Sequence, residues 1–204
     1  MSSSRLARLG ITPSQTVGPY FTLALAQPGA NIVAAPGVPG RRIRVEGRVL
    51  DGDRKPIEDA LVDLWQANAA GRYRHPRDTR AVALDDSFAG AGAAATDFET
   101  GRYWFDTIKP GQVPDPRGGM QAPHLNLAVQ ARGMLMPSFT RMYFPEDAAL
   151  HETDLVLSSV PAARRYTLIA SATEGSEPAD DGSPRAYTFD VRFQGDDETV
   201  FFDL

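Results

Sequence analysis

The feature that most constrains the fold of this chain is the alternation of apolar and polar residues in several short segments. In RRIRVEGRVLD, residues 41–51, Ile43, Val45 and Val49 share one parity, and arginine or glutamate fills most of the other. Successive side chains of a β-strand point to opposite faces, so this pattern predicts a half-buried strand. Similar patterns predict further strands within residues 60–68, 100–111, 124–131, 164–172 and 184–195.

The composition favours one all-β domain. With 18 glycines and 16 prolines in 204 residues, the chain suits many turns better than long helices. We therefore predict a β-sandwich core over residues 41–204, preceded by an N-terminal arm and loop over residues 1–40. The small residues of AGAGAAAT, 89–96, predict a surface loop, and the alanine- and leucine-rich segment 148–165 favours short helices.

Charge and missing residue types exclude several classes of function. A net charge of −5 gives no basic field for nucleic acid or for an anionic membrane surface. The absence of cysteine excludes disulfides, thiolate metal sites and cysteine nucleophiles. No apolar run reaches the length of a membrane span, and the first residues lack the apolar core of a signal peptide. A soluble cytoplasmic protein is the expectation.

The segment ITPSQTVGPYFTLAL, residues 11–25, differs from the strands. Its prolines at 13 and 19 disfavour the α conformation for the residues before them, so an extended arm is predicted. The arm carries apolar side chains that would be costly to leave in water, namely Ile11, Val17, Tyr20 and Phe21. Packing on a partner chain and folding back on the same domain both satisfy that requirement.

The stretch APHLNLAVQARG, residues 122–133, concentrates polar groups on one predicted strand. His124, Asn126 and Arg132 share a parity and would point the same way on a regular strand. A second histidine at position 126 would make a pair of metal ligands, but an amide stands there. The other histidines, His75 and His151, have no partner at metal-ligand spacing, so surface positions are predicted for both.

Several motifs, in their order, resemble those of the intradiol ring-cleavage dioxygenases. They are TPSQTVGPYF, DLWQANAAGRYRH, GRYWFDTIKPG, APHLNL and YTFDVRFQGDDETVFFDL, and they run colinearly from about residue 12 to the C-terminus. The resemblance is greatest to the α chains of heteromeric members that act on 3,4-dihydroxybenzoate (protocatechuate). It implies a β-sandwich and a partner β chain that carries non-haem Fe(3+), held by two tyrosines and two histidines.

The resemblance places four ligand positions in this chain, and two of them lack the ligand. Tyr73 and His124 match a tyrosine and a histidine, whereas Val113 and Asn126 stand at the other two positions. Valine has no lone pair, and an amide oxygen is a poor substitute for imidazole on ferric iron. We therefore expect this chain to bind no metal, which disfavours a self-sufficient iron dioxygenase. Without the resemblance, Tyr73 and His124 would be interpreted as structural residues.

The same resemblance implies a substrate-binding role for four residues at the α/β interface. Arg132 matches an arginine lent to the partner's active site, and Gly18, Pro19 and Tyr20 match the arm beside it. A guanidinium suits the carboxylate of an aromatic acid, Tyr20 would supply an aromatic wall, and Gly18 would allow close approach. Taken alone, Arg132 could also be an ordinary charge at the end of a strand.

These observations predict a subunit without iron, inactive alone, which helps form the pocket where O2 converts protocatechuate to 3-carboxy-cis,cis-muconate. Its expected partner is the iron-carrying β chain, in a higher-order assembly of α/β pairs. The alternative is a non-enzymatic prealbumin-like or carboxypeptidase-regulatory-like binding module. That alternative leaves the GPY arm and the APHLN segment unexplained, and such modules are shorter.

Overall fold

A computed structural model describes residues 15–18, 20–173 and 184–203. Its helices are short: α1 (Phe21–Leu25), α2 (Ala148–His151) and α3 (Leu155–Ser159), with 3-10 turns at Pro145–Asp147 and Ala162–Leu168. Its strands are β1 (Arg42–Leu50), β2 (Leu61–Trp65), β3 (Ala91–Ala95), β4 (Arg102–Ile108), β5 (Val113–Pro114), β6 (Met120–Gln121), β7 (His124–Gln130), β8 (Ser138–Tyr143), β9 (Ser171–Ala172), β10 (Arg185–Thr188) and β11 (Val191–Arg192).

Strand β1 is the centre of the first sheet. It pairs antiparallel with β4 along one edge, from Arg42 opposite Ile108 to Arg48 opposite Arg102. Along its other edge it pairs in parallel with β10 and then with β11, and β9 extends the sheet beyond β10. The parallel pairing brings the C-terminal segment back to the first long strand of the chain.

The second sheet has the order β3-β2-β7-β8, with antiparallel neighbours throughout. Its register places Asn126 of β7 between Trp65 of β2 and Arg141 of β8. A separate short ladder joins β5 to β6 through Val113 and Gln121. Two of the residues that the motifs single out, His124 and Asn126, lie on β7 of this sheet.

One hydrophobic core draws on both principal sheets. It contains Val45 and Phe105 from the first sheet and Leu64 and Leu127 from the second, all at most 1% exposed. Val33, which precedes β1, is fully buried in the same core. Burying a side chain of this size contributes roughly 1.5 to 3 kcal/mol, so this shared core is the main source of stability.

The strands predicted from alternation in the first three quarters of the chain are confirmed, because β1, β2, β4 and β7 lie within the predicted segments. The segment 184–195 forms two short strands, β10 and β11. Alternation predicts one shared face for Tyr187, Phe189, Val191 and Phe193, of which the first three are buried and Phe193 is partly buried. The predicted short helices within 148–165 are also confirmed by α2 and α3.

The prediction of a surface loop at 89–96 is wrong, because Ala91–Ala95 form β3 and pair with β2. Small residues are needed there for a steric reason. A Cβ on Gly92 would lie 2.5 Å from the backbone oxygen of Ala30, so the strand passes against another part of the backbone. The glycine at position 92 is therefore explained by crowding, although a run of alanine and glycine has the composition of a loop.

The strand predicted at 164–172 is mostly wrong, since Ala162–Leu168 form a 3-10 helix and only Ser171–Ala172 are extended. Tyr166 and Leu168 share a parity, yet Tyr166 is exposed and Leu168 is fully buried. The Arg165 side chain donates from Nε to the Val160 oxygen at 2.9 Å, which stabilises the helical turn. An alternating pattern cannot reveal such a side-chain contact.

The extended arm is corrected at its C-terminal end, where Phe21–Leu25 form α1. A proline restricts itself and the residue before it, which leaves the residues after position 19 free to turn. The Gln27 side chain donates to the oxygens of Leu23 and Ala24, which satisfies carbonyls at the end of this helix. Residues 15–18 have no regular structure, and Ile11 and Pro19 lie outside the described residues.

The surface position predicted for His75 is confirmed, and the one predicted for His151 is wrong. His151 is buried at the end of α2, with its ring edge-on to Tyr143 at 5.6 Å between centroids. Burial lowers the pKa of His151, so the neutral ring is favoured there.

In the part of the chain that the structure covers, no helix combines the length and the apolar character required to span a membrane.

Candidate functional site

The loop after β2 fixes the position of Tyr73. The Asn68 side-chain oxygen accepts hydrogen bonds from two backbone N–H groups of this loop. Gly71 has a φ of 78°, and a Cβ there would lie 2.0 Å from the Gln112 oxygen, so only glycine fits. The Tyr73 ring packs against Trp65 with 4.4 Å between ring centroids. The local backbone therefore requires the glycine of the GRYRH motif.

Tyr73, His124 and Asn126 form one hydrogen-bonded cluster, which we call the remnant cluster. The Tyr73 hydroxyl lies 3.3 Å from His124 Nε2, and Asn126 Nδ2 donates to that hydroxyl at 3.2 Å. His124 Nδ1 lies 2.8 Å from the Ala122 oxygen. A carbonyl oxygen only accepts, so the proton belongs on Nδ1, and Nε2 accepts from Tyr73. Every member of the cluster has a protein partner.

The groups of the remnant cluster are electrically neutral near pH 7. Burial, with a smaller contribution from the charge of Arg141, lowers the pKa of His124 to about 3. Burial also raises the pKa of Tyr73 and outweighs the hydrogen bond from Asn126, which acts in the opposite direction. Without a bound cation, the cluster thus presents a phenol and a neutral imidazole.

Arg141 is the residue at this site that the sequence reasoning missed. It lies on β8 directly opposite Asn126, and its Nη1 donates to Gln121 Oε1 at 2.9 Å. Alternation within SFTRMY places Arg141 on the outward side of β8. That signal was available in the sequence, but its neighbours could be known only from the register of β7 against β8.

The residues present do not fit ferric iron. Val113 is buried in β5 and supplies no donor atom. The amide nitrogen of Asn126 is committed to Tyr73 and to the Trp65 oxygen, at 3.2 Å each. The nearby guanidinium of Arg141 would repel a cation. No group of three or more histidine, cysteine or acidic side chains that could hold a metal is found among the described residues.

Arg132 lies apart from the remnant cluster. β7 ends at Gln130, and a turn that includes Gly133 follows, so Arg132 does not continue the strand face as predicted. At about 3.4 Å per residue, the end of β7 at Gln130 is already roughly 14 Å from Asn126, and Arg132 lies beyond it. Its Nε lies 3.0 Å from Asp59 Oδ2, and its side chain is 59% exposed. The guanidinium is therefore both anchored and accessible.

The structure brings the arm close to the loop that follows Arg132. Val17 lines a small cavity of about 20 Å³ together with Gln130 and the segment Met134–Pro137. Tyr20 is 75% exposed, and a Cβ on Gly18 would meet no atom within 4 Å. Val17, next to Gly18 in the arm, and the loop after Arg132 are far apart in sequence and thus lie at the same corner of the molecule.

Comparison with known proteins gives a family match over most of the chain. A family model described as Dioxygenase matches residues 17–195. The chain is 42% identical over 202 residues to a protein of Burkholderia cepacia named protocatechuate 3,4-dioxygenase alpha chain, covering 95% of this chain and 97% of that one.

Two further similarities concern chains of other kinds. The beta chain of protocatechuate 3,4-dioxygenase from Burkholderia cepacia is 40% identical over 162 residues, covering 78% of this chain and 67% of that one. Among solved structures, the dioxygenase domain of a dioxygenase carbohydrate-binding protein fusion from Streptomyces sp. SirexAA-E superimposes with a TM-score of 0.58. It is 27% identical, and the match covers 89% of this chain and 96% of that one.

Proposed function

Because this chain belongs to the family of intradiol ring-cleavage dioxygenases, we propose that it is the α subunit of a heteromeric protocatechuate 3,4-dioxygenase and holds no iron of its own. One observation carries the proposal, namely the 42% identity to an α chain over 95% of this chain. A match of that extent does not support the shorter binding module that the sequence left open. The two principal sheets with a shared core also suit the β-sandwich of this family.

The family depends on non-haem iron, and we propose that the β chain carries it in this complex. The lack of a donor atom at Val113, the engaged amide of Asn126 and the charge of Arg141 support that assignment. In the reaction, the bond between the two hydroxyl-bearing carbons of protocatechuate breaks. Each of these carbons gains one atom of O2 and becomes a carboxyl group, so both oxygen atoms end in 3-carboxy-cis,cis-muconate.

In this proposal Arg132 binds the substrate carboxylate across the subunit boundary. Its contact with Asp59 orients the side chain, while its exposure leaves the guanidinium accessible to a ligand of the partner's site. A guanidinium binds a carboxylate with charge-assisted hydrogen bonds. Gly18, Pro19 and Tyr20 would line the same pocket, and the position of Val17 beside the loop after Arg132 supports this grouping.

The partner would cover an apolar corner made of the arm and this loop, which we call the arm-loop corner. Its large side chains are Tyr20, Leu135 and Met136, which are 75%, 64% and 72% exposed. A cluster of exposed apolar residues of this kind is typical of protein interfaces. The proposal therefore assigns the arm within residues 1–40 to contact with the β chain, residues 41–204 to the core domain, and the α/β pair to a larger assembly.

The proposal is tested by expressing this chain alone, a β chain alone, and both together. We expect ring cleavage of protocatechuate only in the co-purified complex. Ring cleavage by this chain alone, at a rate comparable to that of the complex, would contradict it.

The interface is tested by the double substitution Leu135→Glu with Met136→Glu, which places two charges in the arm-loop corner. We expect the variant to lose most co-purification with the β chain, because buried unpaired charges are costly. The matched control is Phe98→Glu, which alters an apolar side chain of similar exposure, 65%, in a turn between β3 and β4. Equal co-purification of both variants would show that the corner lies outside the interface.

A further inference from the structure

We propose that the outward face of the second sheet holds a further ligand site, for an aromatic carboxylate bound without iron. The site is a groove of about 830 Å³ between the remnant cluster and the edge of the sheet, and we call it the outer-sheet groove. Its lining includes Asp63, Trp65, Ala91, Ala128, Phe139 and Arg141. The inference concerns this chain alone and does not depend on the proposed function.

The shape of the outer-sheet groove suits a flat ring. Ala91 and Ala128 project from β3 and β7 on either side of β2, so small side chains leave a trough along the sheet. Trp65 and Phe139 form aromatic walls, and Trp65 is held in place by its contact with Tyr73. Ligand sites are commonly of this volume, mostly apolar, with a few polar groups that fix orientation.

The charge of Arg141 gives the groove its selectivity. Among the residues that the structure describes, no acidic side chain forms an ion pair with Arg141, and its hydrogen bond goes to the neutral Gln121. Asn126 lies opposite it on β7 and adds a neutral amide. A partly buried guanidinium that forms no ion pair with the described residues is a suitable partner for a carboxylate.

The acidic residue of the groove stands at a distance from this charge. Asp63 is two residues from Trp65 along β2, and β2 is separated from β8 by β7. Strand spacing and rise place the two backbones about 12 Å apart. A ligand with a carboxylate at one end and a hydroxyl at the other could reach both side chains. The groove therefore favours a hydroxylated aromatic acid over a neutral aromatic molecule.

The test uses Trp65 as a local reporter. The chain has two tryptophans, and Trp104→Phe leaves Trp65 alone, so 5-fluorotryptophan labelling gives one fluorine resonance to follow. The full-length protein is titrated with 4-hydroxybenzoate, which lacks adjacent hydroxyls, and with 4-hydroxybenzamide, which has the same shape without the charge. We expect saturable shifts, with the acid bound about tenfold more tightly or better.

Variants assign the effect to a residue. Arg141→Met should abolish the preference for the acid, Arg141→Lys should retain part of it, and Arg132→Met should leave it intact. If the protein with Arg141 intact binds 4-hydroxybenzoate and 4-hydroxybenzamide with equal affinity, the proposal is overturned. This result does not depend on whether the Arg141 variants fold. Loss of the preference in Arg132→Met would assign the ligand to the other site, which also overturns it. If the Trp65 response disappears in the assembled complex, the groove is covered by protein, and a small-molecule site there is refuted.

Discussion

The two faces of β7 differ although one alternating sequence produces both. The inward side chains Leu125, Leu127 and Val129 are at most 1% exposed and belong to the shared core. The outward face carries Asn126 and Ala128, and it borders the outer-sheet groove. Alternation determines which residues are buried, whereas the chemistry of the outward face depends on the neighbouring strands.

The inward face is tested by Leu127→Ala, which should have the largest effect on stability. Removing a fully buried leucine side chain leaves a cavity and should lower the free energy of unfolding by about 2 to 5 kcal/mol. The control on the outward face is Ala128→Ser, for which we expect a change within about 0.5 kcal/mol. Urea denaturation measures both. Similar losses for the two variants would remove the distinction between the faces.

Arg132, beyond the end of the same strand, is tested by Arg132→Ala in the complex. A charge-assisted hydrogen bond is worth about 1.5 to 3 kcal/mol, so kcat/KM for protocatechuate should fall by about 10- to 150-fold. Catechol, which lacks the carboxylate, should be affected much less. Arg132→Lys should rescue in part, since lysine retains the charge beside Asp59 but lacks the planar fork.

The control for this measurement is Arg48→Ala, which removes an exposed arginine from the first sheet. Its kcat/KM should stay within about twofold of the unsubstituted enzyme, in line with the small effects of most surface changes. A fall by the same factor for catechol and protocatechuate in Arg132→Ala would show that Arg132 does not bind the carboxylate.

Glu146 offers a contrast to Arg141, because its charge is compensated. Burial opposes its ionisation, but hydrogen bonds from Lys109, Tyr187 and Arg41 outweigh that effect and lower the pKa of Glu146 to about 2. A carboxyl group with a lowered folded pKa stabilises the protein above its ordinary pKa, near 4.5, and loses that contribution as the pH falls towards 2.

Glu146→Gln should therefore lower the free energy of unfolding by roughly 1 to 1.5 kcal/mol at pH 7, the difference between a charged and a neutral acceptor. The difference in the free energy of unfolding between the variant and the unsubstituted protein should become smaller below pH 4.5. Denaturation curves at pH 7, 4.5 and 3 measure it, and a gap that does not change with pH would show that the charge of Glu146 is not responsible.

Tyr73→Phe should have the smallest effect. It removes the hydroxyl that joins His124 to Asn126, and a neutral hydrogen bond contributes about 0.5 to 1.5 kcal/mol. We expect a loss in that range with no change in the iron content of the complex. A loss of bound iron in this variant would show that the remnant cluster still ligates metal.

Much of the fold was predictable because β1, β2, β4 and β7 follow alternation closely. β3 was not, because its alanines and glycine have a loop-like composition, and the close approach of Ala30 to Gly92 appears only in the structure. Within the site, the motifs identified Tyr73, His124 and Asn126. The role of Arg141 depends on strand register, which one segment of sequence does not contain.

The central claim is that the iron of the complex belongs to the β chain alone. Metal analysis of the purified complex, set against its measured protein content, tests it most directly. We predict one iron for each α/β pair, unchanged when His124 of this chain is replaced by asparagine. Two irons for each pair, with one lost in His124→Asn, would contradict the account.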